Sequence, residues 1–174
     1  MKSISFSLFV GLLFLLTACK QPACPEVKSR PEGAQLYELI ANSSAGYDSA
    51  FAKSLGADEY GMRKYVLAFL KKGPNRDQDS TTVAQLQKAH LENIIKMAEN
   101  GKLVLAGPFL DDGEVRGIYI FNVPTIEEAQ ALTASDPAIQ AGRLAMELHP
   151  WFGSATLPLI TPMHKRTEKT SVAK

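Results

Sequence analysis

The sequence is poor in the residues that most often announce a function. Its 174 residues include 2 cysteines, 3 histidines and 1 tryptophan. Two cysteines exclude a disulfide framework. The histidines and cysteines are scattered and make no zinc-ligand spacing. No charge of one sign prevails, because 19 Lys and Arg stand against 18 Asp and Glu. That balance cannot neutralise a phosphate backbone, so no nucleic acid partner is expected. No apolar run reaches the ~18 residues that a membrane-spanning helix wants. A phosphate-cradling glycine-rich loop, a nucleophile elbow and a paired-cysteine motif are all missing.

What is present suffices for a folded core. Apolar residues make up 45% and charged residues 21%, which excludes wholesale disorder. The length fits one ordinary domain with appendages.

The N-terminus begins Met1-Lys2-Ser3, followed by a short apolar run from Ile4 to Leu16. One positive charge before such a run is the layout of a signal peptide. Leu16-Thr17-Ala18-Cys19 closes it and resembles a bacterial lipobox. Cleavage before Cys19 with lipidation of Cys19 is the favoured expectation; an ordinary secretory signal is the alternative. Loss of residues 1–18 removes Lys2 and leaves 18 basic against 18 acidic side chains. Acyl chains would then hold the protein to the membrane, since several chains anchor firmly without electrostatic help. Lys20 stands where some lipoproteins carry an inner-membrane-retaining Asp, which favours the outer membrane. Cys24 is left as an odd exported thiol, either free or paired between chains.

Composition divides the rest. Residues 19–33 hold Pro22, Pro25, Pro31 and Gly33 among charges and read as a tether. Residues 34–60 read as a helical extension packed on the main domain, with a short helix over Asp48 to Leu55 closed by Gly56. The main domain spans 61–155. Tyr65 to Leu70 is a continuous apolar run, hence a strand buried on both faces. Ser80 is the expected N-cap of a long helix from Thr81 to Asn100, closed by Gly101. On it Leu86, His90, Ile94 and Met97 share a face. Leu103 to Ala106 and Ile118 to Val123 are two further strands, with a turn signal at Asp111-Asp112-Gly113. Thr125 and Glu128 form a capping box for a helix over Ile126 to Ala134. Asp136-Pro137 starts a short turn that Gly142 ends. Leu144, Met146 and Leu148 alternate with polar neighbours in a fourth strand. Residues 156–174 read as an irregular tail.

The order strand, helix, strand, strand, helix, strand is the ferredoxin-like βαββαβ arrangement, an α+β fold. Two helices cover one face of a four-stranded sheet. The other face therefore needs a cover, either a second copy, making a homodimer, or the 34–60 segment.

Few residues are placed to carry chemistry. His90 interrupts an apolar helical stripe and must find partners for a buried imidazole. It is either a satisfied core histidine or a catalytic base. Asp136 is either the cap of its turn or the carboxylate that fixes the tautomer of such a histidine. Joined, they make an acid–base pair suited to neutral pH. Gly107-Pro108 follows a strand directly, either as its terminator or as a place where a ligand approaches the backbone. Arg143, Glu147 and His149 lie on one face of the last strand, either as a polar stripe or as a pocket wall with Arg143 for a carboxylate. A metal site from His90, His149 and a carboxylate has no support in spacing.

The run from His90-Leu91 through Gly101-Lys102-Leu103-Val104-Leu105-Ala106-Gly107-Pro108-Phe109 resembles the YciI-like (YCII-related) family. Asp136-Pro137, Ala141-Gly142 and Pro150-Trp151 follow in that family's order and spacing. Asp58-Glu59-Tyr60-Gly61-Met62 is similar to a longer subgroup. The resemblance implies a dimeric α+β barrel and a pocket with a histidine–aspartate acid–base pair, which falls on His90 and Asp136. It implies no cofactor. One relative in the family is a dehydrochlorinase of a hydroxylated chloroaromatic ring, and the fold is shared with muconolactone isomerase. Two departures stand out. Gln87-Lys88 replaces an arginine common before the histidine, and Gly117-Ile118 replaces a common Gly-Ser. The expected protein is a lipid-anchored YciI-like domain, an isomerase or lyase acting on a small cyclic or aromatic acid. The alternative is a non-catalytic small-molecule-binding or structural envelope protein.

Overall fold

The computed structural model describes residues 46–173. The signal peptide, Cys19, Cys24, the tether and the start of the 34–60 extension lie outside the described residues. Among those described, no helix is long and apolar enough to cross a membrane.

A short helix α1 (Ser49–Ser54) comes first, its N-cap Asp48 accepting from the Phe51 N–H at 2.9 Å. It buries none of its residues. One tie to the main domain is Arg63, whose Nη1 donates to the Leu55 carbonyl at 2.9 Å. The expected packing of this part of the extension is therefore slight, because Phe51 is the one large apolar side chain in the helix and it stays exposed.

The strands β1 (Met62–Lys72), β2 (Leu103–Pro108), β3 (Val115–Phe121) and β4 (Leu144–Ser154) form one sheet. Their spatial order is β2-β3-β1-β4, and every pairing is antiparallel. With α2 (Ser80–Glu99) after β1, and α3 (Ile126–Thr133) and α4 (Pro137–Gln140) before β4, the topology is ferredoxin-like α+β.

Alternation along the strands sorts the two faces. Val66, Ala68 and Leu70 of β1 meet Tyr119 and Phe121 of β3 and Met97 of α2 in the main core. Tyr65, Val104 and Ile120 form a smaller cluster on the other face, with Leu67, Trp151 and Leu157 packed on it. A register shift between Leu103 and Leu105 turns both Val104 and Leu105 to that second face.

Three local readings change. The α2 cap is Asp79, not Ser80: its carboxylate accepts from the Thr81 and Thr82 N–H groups and from the Thr82 hydroxyl. Strand β4 runs on through Pro150 to Ser154, which an edge strand allows because the missing N–H can face outward. The tail is not wholly irregular. Leu157–Leu159 forms a 3₁₀ turn and α5 (Ile160–Lys165) follows.

Cover for the second face thus comes in part from this tail. The chain leaves β4 at one sheet edge, packs Leu157 onto Tyr65, Val104 and Ile120, and brings α5 against β2 at the opposite edge.

Candidate active site

His90 sits mid-way along α2, on the stripe that faces the sheet, and is 6% exposed. Asp136 is fully buried at the start of α4. The structure brings the two together, with His90 Nδ1 2.7 Å from Asp136 Oδ2. One Asp136 side chain makes both the capping contact and the histidine contact. Oδ1 accepts from the Ala138 N–H at 2.9 Å and caps α4, while Oδ2 faces His90.

Asn93, one turn beyond His90, points its Nδ2 at the same Oδ2 at 3.3 Å. Burial works against the Asp136 charge. Hydrogen bonding from His90, its positive charge, the Ala138 N–H and the Asn93 amide outweigh that and hold the carboxyl below its ordinary range. An ionised carboxylate only accepts, so Nδ1–H donates to it. Nε2 is then the imidazole atom left to exchange a proton.

Nε2 lies 3.3 Å from the Tyr119 hydroxyl, and the two rings are stacked with an interplanar angle of 17°. Tyr119 is 2% exposed. Burial first, and then the Asp136 charge, push its phenol well above the ordinary range, so it is a donor and not a phenolate. The result is a line of three groups, Asp136, His90 and Tyr119. The first contact is short and the second long, so the Tyr119 bond is the one that yields easily.

His90 and Tyr119 border a cavity of about 870 Å³. Leu91, Ile94 and Ile95 of α2 form one side, and Leu103, Ala106 and Pro108 of β2 another. Gly107 also lines it, and a Cβ there would meet nothing within 4 Å. Gly117 lines it too, but for a different reason: a Cβ would come 2.5 Å from the Gly107 carbonyl, so close strand approach requires glycine. Gln87, which stands in for a common arginine, borders the cavity as a neutral amide.

Arg143 stands apart. It precedes β4 and donates from Nη1 to Gln78 Oε1 at 3.0 Å. Glu147 and His149 lie on the second sheet face, where Glu147 pairs with Lys71 and with His149 Nε2. They do not join His90. Among the described residues no three His, Cys, Asp or Glu side chains converge as metal ligands.

Tyr119 and Asn93 escaped the sequence reading. Both left a signal. Tyr119 alternates with Phe121 on the strand face that meets α2, where a hydroxyl is out of place. Asn93 is three residues from His90 on one helix, so their side chains are neighbours.

A YCII-related domain matches residues 65–151, half of the chain. Among solved structures, similarity is found to 5-chloro-2-hydroxyhydroquinone dehydrochlorinase (TftG) from Burkholderia phenoliruptrix, in complex with 2,5-dihydroxybenzoquinone. The identity is 19%, the match covers 49% of this chain and 92% of that one, and the TM-score is 0.39. No curated protein matches the chain.

Proposed function

The chain belongs to the YCII-related domain family, and on that premise we propose that it is a cofactor-independent acid–base enzyme of the isomerase or lyase type. Its substrate is a small cyclic or aromatic acid. The observation that carries this reading is the Asp136–His90–Tyr119 line beside a largely apolar cavity.

The geometry supports the following steps. A substrate proton passes to His90 Nε2. Asp136 stabilises the imidazolium through Nδ1–H. The Tyr119 hydroxyl, released from Nε2, turns to the substrate oxygen on which negative charge develops. The proton then returns at another carbon, giving isomerisation, or the electron pair expels a leaving group, giving elimination.

One observation favours a second reading, a non-catalytic binding module. Both imidazole nitrogens already have protein partners. In that case His90 and Tyr119 only recognise a ligand hydroxyl.

Deuterium uptake from heavy water separates the two. Small lactones, hydroxyquinones and aromatic acids are incubated with the protein and their carbon-bound deuterium is read by mass spectrometry. We expect exchange in wild type and its loss in His90→Gln, which keeps a donor for Asp136. Asp136→Asn keeps the cap but offers Nδ1 an N–H, which reverses the tautomer. It should lower the exchange rate about a hundredfold, the low end of acid–base contributions. Ligands that bind without exchange would leave the binding module standing.

The setting of this activity is also proposed: Cys19 lipidated, the protein exported to the outer membrane, and a second copy on the second sheet face. The lipobox-like Leu16-Thr17-Ala18-Cys19 and the half-buried Leu67, Phe69 and Ile118 support these. Cys19→Ser should move the protein from the membrane to the soluble fraction.

A further inference from the structure

The wall of the His90 cavity extends beyond the domain that ends at Trp151. Ile160, Thr161, His164, Lys165 and Glu168 of the tail line it together with β2 and α2. The tail is lightly held. Helix α5 has six residues, no side-chain cap and no buried residue, and it is far shorter than the ~12–15 residues at which an isolated helix becomes even marginally stable. Ile160 is 38% exposed and Met163 54%. Upstream, Leu157 is seated on the second face. At the far end one ion pair reaches α2, from Lys165 Nζ to Glu99 Oε1 at 3.1 Å, and both side chains are about half exposed. An exposed pair of this kind is weak and opens readily. Segments held by so few contacts open at low local cost.

Resting on the reading of this cavity as a ligand site, we propose that α5 is its size-selective wall, latched by Lys165 and Glu99. The latched helix admits compact ring-sized ligands to His90 and turns bulkier ones away. Its release through the ion pair is the route by which bulkier ones enter and leave. The occupant therefore has an apolar body for the α2–β2 cleft and a polar end that meets Thr161 and His164.

Acylation of His90 tests this without any turnover. The full chain is treated with diethyl pyrocarbonate and, separately, with the bulkier di-tert-butyl dicarbonate. Rates at His90 are read by peptide mass spectrometry at pH 6, where amines react slowly, and are compared with those of Nα-acetylhistidine in the same solution. In wild type, the rate ratio of small to bulky reagent should be larger at His90 than for the free imidazole. Lys165→Glu should raise the bulky-reagent rate at His90 by up to about fivefold, the population change that loss of one exposed pair can produce, with the rate at Nα-acetylhistidine unchanged. Glu99→Lys combined with Lys165→Glu re-forms the pair and should restore the wild-type ratio. Equal ratios at His90 and the free imidazole in wild type, no change in Lys165→Glu, or no restoration by the swap would overturn the proposal. Should Lys165→Glu lower the melting temperature, Lys165→Gln carries the same outcomes. A normal acylation pattern with no deuterium exchange would instead count against the acid–base reading alone.

Discussion

At the scale of the residue, Asp136 holds the site together because each of its oxygens has a separate task. Oδ1 caps α4 and Oδ2 orients His90. A carboxyl held below its ordinary range in the folded state contributes stability above the unfolded value of about 3.9 and loses it as pH falls through the folded value. The stability gap between wild type and Asp136→Asn should therefore be largest near neutral pH and shrink below about pH 4. Urea melts of both proteins at pH 7, 5 and 3 read this; a gap that does not change with pH would refute it. His90 and Asp136 were legible in the sequence because each breaks its local pattern, one an apolar stripe and the other the start of a turn. The distance between them was not legible, since 46 residues separate them and only the packing of α2 against α4 closes the gap. Tyr119 was hidden for another reason: an aromatic in a core strand passes for ordinary packing until its hydroxyl is placed.

At the scale of the element, misreadings came from neighbouring residues with similar chemistry. Asp79 and Ser80 both cap well, and the Asp79 carboxylate prevails by serving two N–H groups and a hydroxyl at once. Asp79→Ala should lower the chemical-denaturation midpoint, as loss of a cap does, whereas Ser80→Ala should leave it nearly unchanged. The tail was misread because Pro158 and Pro162 look like breakers. Pro158 lies at the start of the 3₁₀ turn and Pro162 is the third residue of α5, both first-turn positions where no N–H is needed. The strands were the most legible elements, since alternation and apolar runs reflect directly which face is covered.

At the scale of the molecule, the second face is covered at one end by an element that the sequence does not announce as a cover. Both candidates weighed from the sequence were a second copy or the 34–60 segment, yet the tail covers the end of the face around Tyr65, Val104 and Ile120. The other end carries Phe69 against His149 and the Lys71–Glu147 pair. That mixture of apolar and paired polar groups suits the proposed dimer, because a second copy there would strand no charge. Sedimentation of the full chain in detergent should show a dimer, and Phe69→Asp, which sets a new carboxylate near Glu147, should give monomer with the melting curve otherwise cooperative. A monomer in wild type would remove the second copy from the account.

The double duty of Asp136 also bears on descent. A lineage that abandoned the chemistry would still be penalised for losing the aspartate, because α4 would lose its cap. His90 is under a looser constraint, because any neutral side chain that still donates to the buried Asp136 carboxylate, such as glutamine, can replace it and leave the backbone of α2 intact. Among descendants, persistence of the aspartate therefore says little about retained chemistry, while persistence of the histidine beside it says much more.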